Sequence, residues 1–238
     1  MMIPFCDLHT HILPGMDDGS KDPEMSVQML KAQMEQGVDR VFLTPHYYPV
    51  ESVASFIARR DRAMDKLAEA MAKETAPLPQ VCLGAEVAYR PGIGYEPDLR
   101  QLCLGNSEYL LLELPFAPWS KDILRDIRNM ICTKGITPIL AHLDRYMGMQ
   151  KKDIFQEVLE QGVLVQLNAE SLLHWRTRAA AKKLLKQGAV HALGSDSHNL
   201  RDRAPNLRKA LTAVSKMDQA LDQICYISGD IFEQAHSL

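Results

Sequence analysis

The sequence lacks several patterns that mark well-known functional classes. Its five cysteines are widely spaced and none forms a C-x-x-C pair, which excludes a zinc knuckle and a dithiol redox site. None of them is followed by arginine six residues later, which excludes the C-x5-R loop of cysteine-dependent phosphatases. We therefore expect the cysteines to be reduced, mostly buried and without a catalytic role.

Long apolar runs and an excess of positive charge are also missing. The apolar runs are no longer than a strand, and the N-terminus has no basic region followed by a long apolar stretch, so we expect neither a membrane-spanning helix nor a signal peptide. A net charge of −3 gives no electrostatic reason to expect nucleic acid or an anionic membrane as a partner. These features predict a cytoplasmic protein without direct membrane insertion.

Short apolar segments alternate regularly with amphipathic ones. The predicted strands are Pro4–Leu8, Arg40–Thr44, Gln80–Gly84, Tyr109–Leu114, Thr137–Ala141, Val163–Asn168 and Val190–Leu193. The predicted helices cover residues 22–37, 52–73, 97–102, 121–133, 153–161, 172–187 and the chain after Pro205. This alternation predicts parallel strands joined by right-handed crossovers. Seven such units favour an α/β fold closed into a barrel, and without an obvious linker we expect one domain over residues 1–238.

Side chains that bind metal ions follow nearly every predicted strand. They are His9, His11, His46, Glu86, Glu113, His142, Asp196 and His198. The active site of a β/α barrel is built at the carboxyl ends of its strands, so these side chains should meet at one mouth. Imidazole and carboxylate groups suit zinc, iron or manganese. The sequence therefore predicts a site for more than one metal ion.

Two of these carboxylates have an alternative interpretation. Glu113 interrupts a run of leucines, and Glu86 follows a similar apolar strand. An unpaired carboxylate in such a place is costly, and either a structural salt bridge or a metal ion would relieve the cost.

For other residues near the predicted mouth, the sequence leaves two roles open. His174 is expected more on a helix surface than facing the mouth, and His191 is expected as a hydrogen-bonded core histidine. The aromatic residues of segments 47–48 and 116–119 either contact a substrate or pack against neighbouring loops.

Together the motifs resemble the PHP (polymerase and histidinol phosphatase) superfamily. The matching residues are Asp7, His9, His11, the Thr44–His46 segment, Glu86, Glu113, His142 and the Ser195–His198 segment. More narrowly, segments 11–19 and 195–199 resemble the bacterial tyrosine-protein phosphatases of capsule biosynthesis. The resemblance spans Asp7 to Pro205 and implies a distorted (β/α)7 TIM-like barrel with three metal ions, manganese being expected and iron or zinc being alternatives.

The resemblance also implies a role for each matching residue. The first ion would be held by His9, His11, Glu86 and Asp196; the second by Glu86 as a bridge, Glu113 and His142; the third by Asp18, His46 and His198. Asp18 is preferred to Asp17 on the family's spacing alone. Arg145 and Arg203 match two family arginines that would bind phosphate, with Arg201 as a rival for the second. The proton for the leaving group would come from His198 or from a metal-bound water.

The expected function is hydrolysis of phosphotyrosine by a metal-activated hydroxide. The expected substrate is the phosphorylated tail of a bacterial tyrosine kinase that controls capsular or exopolysaccharide synthesis. The main alternative is a PHP-type phosphoesterase for histidinol phosphate or another small phosphomonoester. An amidohydrolase-type deacylase is less favoured because strand four presents Glu113 instead of a lysine, and a non-catalytic metal-binding module is less favoured because every expected ligand position is filled. The oligomeric state cannot be read from the sequence.

Overall fold

Parallel strands form the centre of the molecule. The computed structural model describes residues 5–237, so Pro4 of the first predicted strand lies outside the described residues. Within this range the strands are β1 (Phe5–Thr10), β2 (Val38–Leu43), β3 (His46–Tyr47), β4 (Gln80–Leu83), β5 (Glu86–Ala88), β6 (Tyr109–Glu113), β7 (Thr137–Leu140), β8 (Leu164–Asn168) and β9 (Ala192–Gly194). Each pairing between them is parallel.

These strands correspond to the seven predicted units because two of the units are interrupted. β2 continues into β3 after a break at Thr44 and Pro45, and β4 continues into β5 after a break at Gly84. Proline has no backbone N–H to donate to a ladder, which suits a break at that point. The second break lies at a close approach, since an added Cβ at Gly84 would lie 2.6 Å from Leu104 Cδ2 and the leucine side chain would have to move. Beyond the breaks, β3 pairs with β5 and sets His46 directly opposite Glu86.

The strands curl until the last one meets the first. Hydrogen bonding gives the orders β1-β2-β4 and β3-β5-β6-β7-β8-β9. The loop after β9 then joins β1: the N–H of Asp196 donates to His9 O at 2.9 Å, and the N–H of His11 donates to Ser197 O at 2.9 Å. The predicted distorted barrel of seven units is confirmed.

Helices cover the outside of the barrel. They are α1 (Pro23–Glu35), α2 (Val53–Met71), α3 (Lys121–Lys134), α4 (Lys152–Leu159), α5 (Ala169–Leu173), α6 (Arg178–Lys186), α7 (Leu207–Ala213) and α8 (Asp218–His236). Within residues 5–237, no helix has both the length and the hydropathy needed to cross a membrane.

Three of the predicted helices were wrong in extent or type. The segment predicted as one helix over 172–187 forms α5 and α6, because the Thr177 hydroxyl donates to Ser171 O at 2.9 Å and stabilises a turn between them. The helical end predicted after Pro205 is divided into α7 and α8 by residues 214–217, and the short helix predicted over 97–102 is a 3-10 turn at Leu99–Leu102.

Two apolar layers hold the site in place. The larger lies between the strands and the surrounding helices, and the smaller fills the barrel interior. In the smaller layer Leu8 and Ile139 are fully buried, and the rings of Phe42 and Phe232 pack edge to face at 5.2 Å. Because Phe232 belongs to α8, this helix closes the end of the barrel opposite the mouth and gives the site an apolar floor.

Candidate metal centre

The structure brings all nine sequence-predicted ligands to the carboxyl ends of the strands, and Glu86 lies at their centre. Glu86 Oε2 is 3.1 Å from His9 Nε2 and 3.3 Å from His11 Nε2. The other oxygen, Oε1, is 2.9 Å from His142 Nε2. The remaining predicted ligands are each within 4 Å of another member: Asp18, His46, Glu113, Asp196 and His198.

The central carboxylate is buried and lacks the hydrogen bonds that would satisfy it. Glu86 is only 1% exposed, and His46 Nδ1 approaches its Oε2 to 3.0 Å. Despite these short distances, no described residue makes a hydrogen bond of acceptable geometry to Oε2, and His46 Nδ1 is unsatisfied as well. Burial of an unsatisfied carboxylate oxygen is expensive unless a cation coordinates it. A buried carboxylate oxygen and an imidazole nitrogen that face each other without a hydrogen bond, as Glu86 Oε2 and His46 Nδ1 do, are suited to coordinating a cation.

The outer nitrogens of three histidines, in contrast, are satisfied. His9 Nδ1 is 3.3 Å from Gln166 Oε1, His11 Nδ1 is 2.8 Å from Asp17 Oδ2, and His198 Nδ1 is 2.9 Å from the Asp196 carbonyl oxygen. Because each of these oxygens can only accept, Nδ1 carries a proton in each ring, so the neutral form of each ring has its lone pair on Nε2. Metal-ligating histidines show this pattern, in which the outer N–H fixes the tautomer and the ring direction.

Within residues 5–237 the donor atoms form three overlapping groups. They are His11, Asp18, His46 and His198; His9, His11 and Asp196; and His46, Glu86 and Glu113, with all atoms of a group within 4.8 Å of one another. The division differs from the one that the resemblance implies. His46 joins Glu86 and Glu113 in the place expected for His142, and His11 also lies with the third group. Neighbouring sites therefore share side chains.

The carboxylates give the cluster a negative potential that favours cations. Burial lowers the pKa of His142, but the carboxylates of Glu113 and Glu86 outweigh that effect and raise it to about 9. Burial raises the pKa of Asp196, but His11 and His9 hold it well below its usual range. His198 behaves differently: burial, assisted by the positive charge of His11, lowers its pKa to about 4. A neutral His198 with its Nδ1–H already donated is suited to coordination through Nε2.

Both predicted phosphate-binding arginines contact Asp196. An Nη2–H of Arg145 donates to Asp196 Oδ2, and an Nη2–H of Arg203 donates to Oδ1 at 2.8 Å. Each guanidinium side chain is still 37% exposed, so a ligand at the mouth can reach it. Arg203 also lies 3.6 Å from Asp18, whereas Arg201 is exposed and its backbone N–H donates to Asn199. The geometry therefore favours Arg203 over its rival.

A cavity of about 310 Å³ opens beside these two arginines. Arg145, Asp196 and Arg203 form part of its wall, and His174 at the end of α5 forms another part. His174 is exposed at the end of α5 and borders this cavity, so both of its expected positions, helix surface and mouth, are compatible with the structure.

Four residues support the predicted ligands in roles that were not predicted. Asp17 binds His11, and Gln166 binds His9 and also accepts the backbone N–H of His142 at 2.6 Å. Asn168 donates its side-chain N–H to Asp196 Oδ2 at 2.9 Å, and Asp7 accepts the N–H of Ser195 at 2.9 Å. One signal was present: Gln166 and Asn168 are polar residues in the only predicted strand to which no ligand was assigned.

Comparison with known proteins agrees with this geometry. The sequence model of the family described as "Capsular polysaccharide synthesis, CpsB/CapC" matches residues 5–228. The chain belongs to the CpsB/CapC family. Among curated members, the tyrosine-protein phosphatase YwqE of Bacillus subtilis is 29% identical over 218 residues, covering 88% of this chain and 84% of YwqE. The tyrosine-protein phosphatase CpsB of Streptococcus agalactiae is 28% identical over 222 residues, covering 88% and 89%.

A solved structure from this family has a fold similar to that of this chain. It comes from the crystal structures of YwqE from Bacillus subtilis and CpsB from Streptococcus pneumoniae, described as unique metal-dependent tyrosine phosphatases. The superposition has a TM-score of 0.82 and 25% identity, and it covers 97% of this chain and 95% of the other. The similarity therefore includes the whole barrel and its mouth.

Proposed function

We propose that this protein is a metal-dependent protein-tyrosine phosphatase. The observation that carries the proposal is Asp196, whose carboxylate adjoins the buried His9 and His11 on one side and accepts from Arg145 and Arg203 on the other. Metal-ligating groups and phosphate-binding groups therefore share one mouth, in a family whose curated members are named tyrosine-protein phosphatases. The whole chain would act as one catalytic domain.

We further propose that the site holds three metal ions, with manganese as the first expectation and iron or zinc as alternatives. Eight His, Asp and Glu side chains form the three donor groups, with His11 and His46 shared between groups, and His142 adds a ninth donor 2.9 Å from Glu86. Imidazole–carboxylate sites accept each of these metals, so metal availability contributes to the choice. Bound ions would supply a hydroxide nucleophile near neutral pH and neutralise charge on the phosphoryl oxygens.

The protein's own side chains would bind and orient the phosphoryl group. Arg145 and Arg203 present planar guanidinium forks that match phosphate oxygens, and both are reachable from solvent. A phosphate that accepts hydrogen bonds from these N–H groups would replace Asp196 as their acceptor. The Asp196 carboxylate would then be available to the metal-binding cluster. His198 would act as a ligand through Nε2, since its Nδ1 is directed to the Asp196 carbonyl oxygen at 2.9 Å. The leaving phenol has a pKa of about 10, so it needs little help from a strong acid.

The proposed physiological substrate is a phosphorylated protein tail, belonging to a bacterial tyrosine kinase that governs capsule or exopolysaccharide synthesis. The description of the family as one of capsular polysaccharide synthesis supports this role. Such a reaction would take place in the cytoplasm.

Hydrolysis assays on the manganese-loaded protein test the proposal. We expect release of phosphate from a phosphotyrosine peptide, loss of that activity on chelation, and recovery when manganese is restored. The variant His142→Ala should abolish turnover, whereas His236→Ala, a matched change at the exposed end of α8, should not alter it. Activity on histidinol phosphate without activity on the phosphotyrosine peptide would replace this proposal with the small-molecule alternative.

A further inference from the structure

Two exposed aromatic rings lie against histidines of the cluster. Tyr48 is 49% exposed and stacks on His46, with ring centroids 5.2 Å apart and planes at 26°. Phe116 is 52% exposed and stacks on His142, with centroids 5.9 Å apart and planes at 18°. Each ring therefore covers one side of a predicted ligand and keeps about half of its own surface exposed.

The neighbouring aromatic residues in the same segments have structural roles. Tyr47 is 1% exposed, packs on Phe56 with centroids 5.2 Å apart, and donates its hydroxyl to Glu51 O at 3.1 Å. Trp119 is 6% exposed and stacks on Phe155 at 5.7 Å. Packing thus accounts for Tyr47 and Trp119. Tyr48 and Phe116 are about half exposed, although Phe116 also stacks on Tyr146 at 5.3 Å.

Both exposed rings are close to the Glu113 side of the cluster. Glu113 is 3.5 Å from the Nε2 of His142, on which Phe116 stacks. Tyr48 stacks on His46, whose donor atom lies within 4.8 Å of donor atoms of Glu86 and Glu113. The arginines, in contrast, meet the cluster at Asp196. The mouth therefore has a cationic side and an aromatic side.

We propose that Tyr48 and Phe116 form an aryl subsite that holds the phenyl ring of the substrate and selects aryl over alkyl phosphate esters. This inference rests on the proposed phosphatase function. A phosphoryl group at the arginines and the cluster carries its ester ring one oxygen atom away, so the ring must pass through the mouth. Aromatic pairs attract at centroid separations of about 4.5–7 Å, and each pair is worth about a two- to tenfold change in affinity. An alkyl ester gains none of this attraction.

Binding of two inert phosphonates isolates the aryl contribution from the chemical step. Phenylphosphonate and methylphosphonate share the charged group and differ in the ring. Dissociation constants would be measured by titration calorimetry on manganese-loaded wild type, Tyr48→Ala, Phe116→Ala and the double variant. We expect the double variant to weaken phenylphosphonate binding about tenfold while methylphosphonate binding changes less than twofold. The conservative variants Tyr48→Phe and Phe116→Tyr should retain wild-type selectivity.

Matched controls and metal content separate this subsite from a structural role. Tyr95→Ala and Tyr226→Ala remove rings elsewhere that are at least as exposed and should change neither constant. An equal loss for both phosphonates, or a fall in bound manganese, would mean that the rings support the cluster and would overturn the subsite. Unchanged phenylphosphonate binding in the double variant would overturn it as well.

A parallel assay on the phosphotyrosine peptide distinguishes the two proposals. Hydrolysis by wild type together with unaltered phosphonate selectivity in the double variant would refute only the aryl subsite. Selective phenylphosphonate binding that depends on Tyr48 and Phe116, without hydrolysis of the peptide, would support the subsite and refute the phosphatase function.

Discussion

Removing the carboxylate of Asp17 should weaken metal binding although Asp17 is not a predicted ligand. Its side chain is 4% exposed. Oδ2 accepts from His11 Nδ1 at 2.8 Å and from the His46 N–H at 2.9 Å, and Oδ1 accepts from the Gly19 N–H at 2.9 Å. Burial raises the pKa of Asp17, but the hydrogen bond and charge of His11 lower it to about 2, so the group is ionised at neutral pH. One carboxylate therefore fixes the His11 ring and the backbone before His46.

The structure sets the size of the effect for Asp17→Ala. Each of the three donors loses its acceptor, and a buried donor left unsatisfied costs about 1–3 kcal/mol. His11 is also free to move its proton to Nε2, which would remove the lone pair that faces the cluster. Loss of such an outer partner lowers metal affinity about 10- to 100-fold. Asp17→Asn retains an oxygen for His11 but loses the charge and one of the other bonds, so it should fall between wild type and Asp17→Ala.

Calorimetric titration of metal-stripped protein with manganese measures this affinity directly. Asp22→Ala is the matched control, because the Asp22 side chain caps α1 by accepting the Met25 N–H at 2.8 Å. Loss of that cap should lower the free energy of unfolding by about 1 kcal/mol without changing metal affinity. If Asp17→Ala binds manganese as tightly as Asp22→Ala does, the supporting role assigned to Asp17 is refuted.

Three further predictions concern other parts of the site and the fold. Arg203→Ala should lower kcat/KM for a phosphotyrosine peptide about 100-fold, because the Arg203 guanidinium reaches the cluster at Asp196. Arg201→Ala should lower kcat/KM less than twofold. Equal losses of kcat/KM in the two variants would contradict this prediction. Gly194→Ala should lower the free energy of unfolding, measured in urea, by about 1–3 kcal/mol, because the new Cβ would lie 2.6 Å from the His9 Cβ. Wild-type stability of this variant would show that the barrel accommodates the added methyl group. Burial lowers the pKa of His191, so its stabilising contribution is present above its unfolded-state value of about 6.5 and is lost as the pH falls through the folded value. The difference in urea stability between wild type and His191→Gln should therefore shrink between pH 7 and pH 5, and a constant difference would refute the assignment.

The position of the mouth could be predicted because a simple rule connects sequence order with space. Strand ends of parallel units meet at one side of a barrel, so donors as distant in sequence as His9 and Asp196 were expected together. No comparable rule divides the donors among individual ions. That division depends on the breaks after β2 and β4, which place His46 opposite Glu86 and let His46 belong to two groups.

The residue pattern alone also could not determine which of two adjacent residues takes which role. Asp17 and Asp18 are neighbours of the same type, yet Asp17 is turned inward onto His11, whereas the Asp18 side chain is 66% exposed and reaches His198 at 3.3 Å. A one-residue difference in a loop reverses the direction of a side chain, and only the backbone path decides which way each points. The helix break at Thr177 has a similar origin, because a side-chain hydrogen bond stabilises a turn where the apolar pattern continues.

Closure of the barrel and assembly of the site depend on the same few residues. The loop that joins β9 to β1 does so through the backbone of Asp196 and Ser197, and the side chains of Asp196 and His198 enter the cluster from that loop. Asp196 has a φ of +52°, a conformation that non-glycine residues seldom adopt and that persists only where the surroundings impose it. Backbone hydrogen bonds to His9, side-chain bonds from two arginines and contacts with two histidines impose it here. A cation bound at this carboxylate would thus stabilise the contact that closes the barrel, so metal binding and fold stability should rise together.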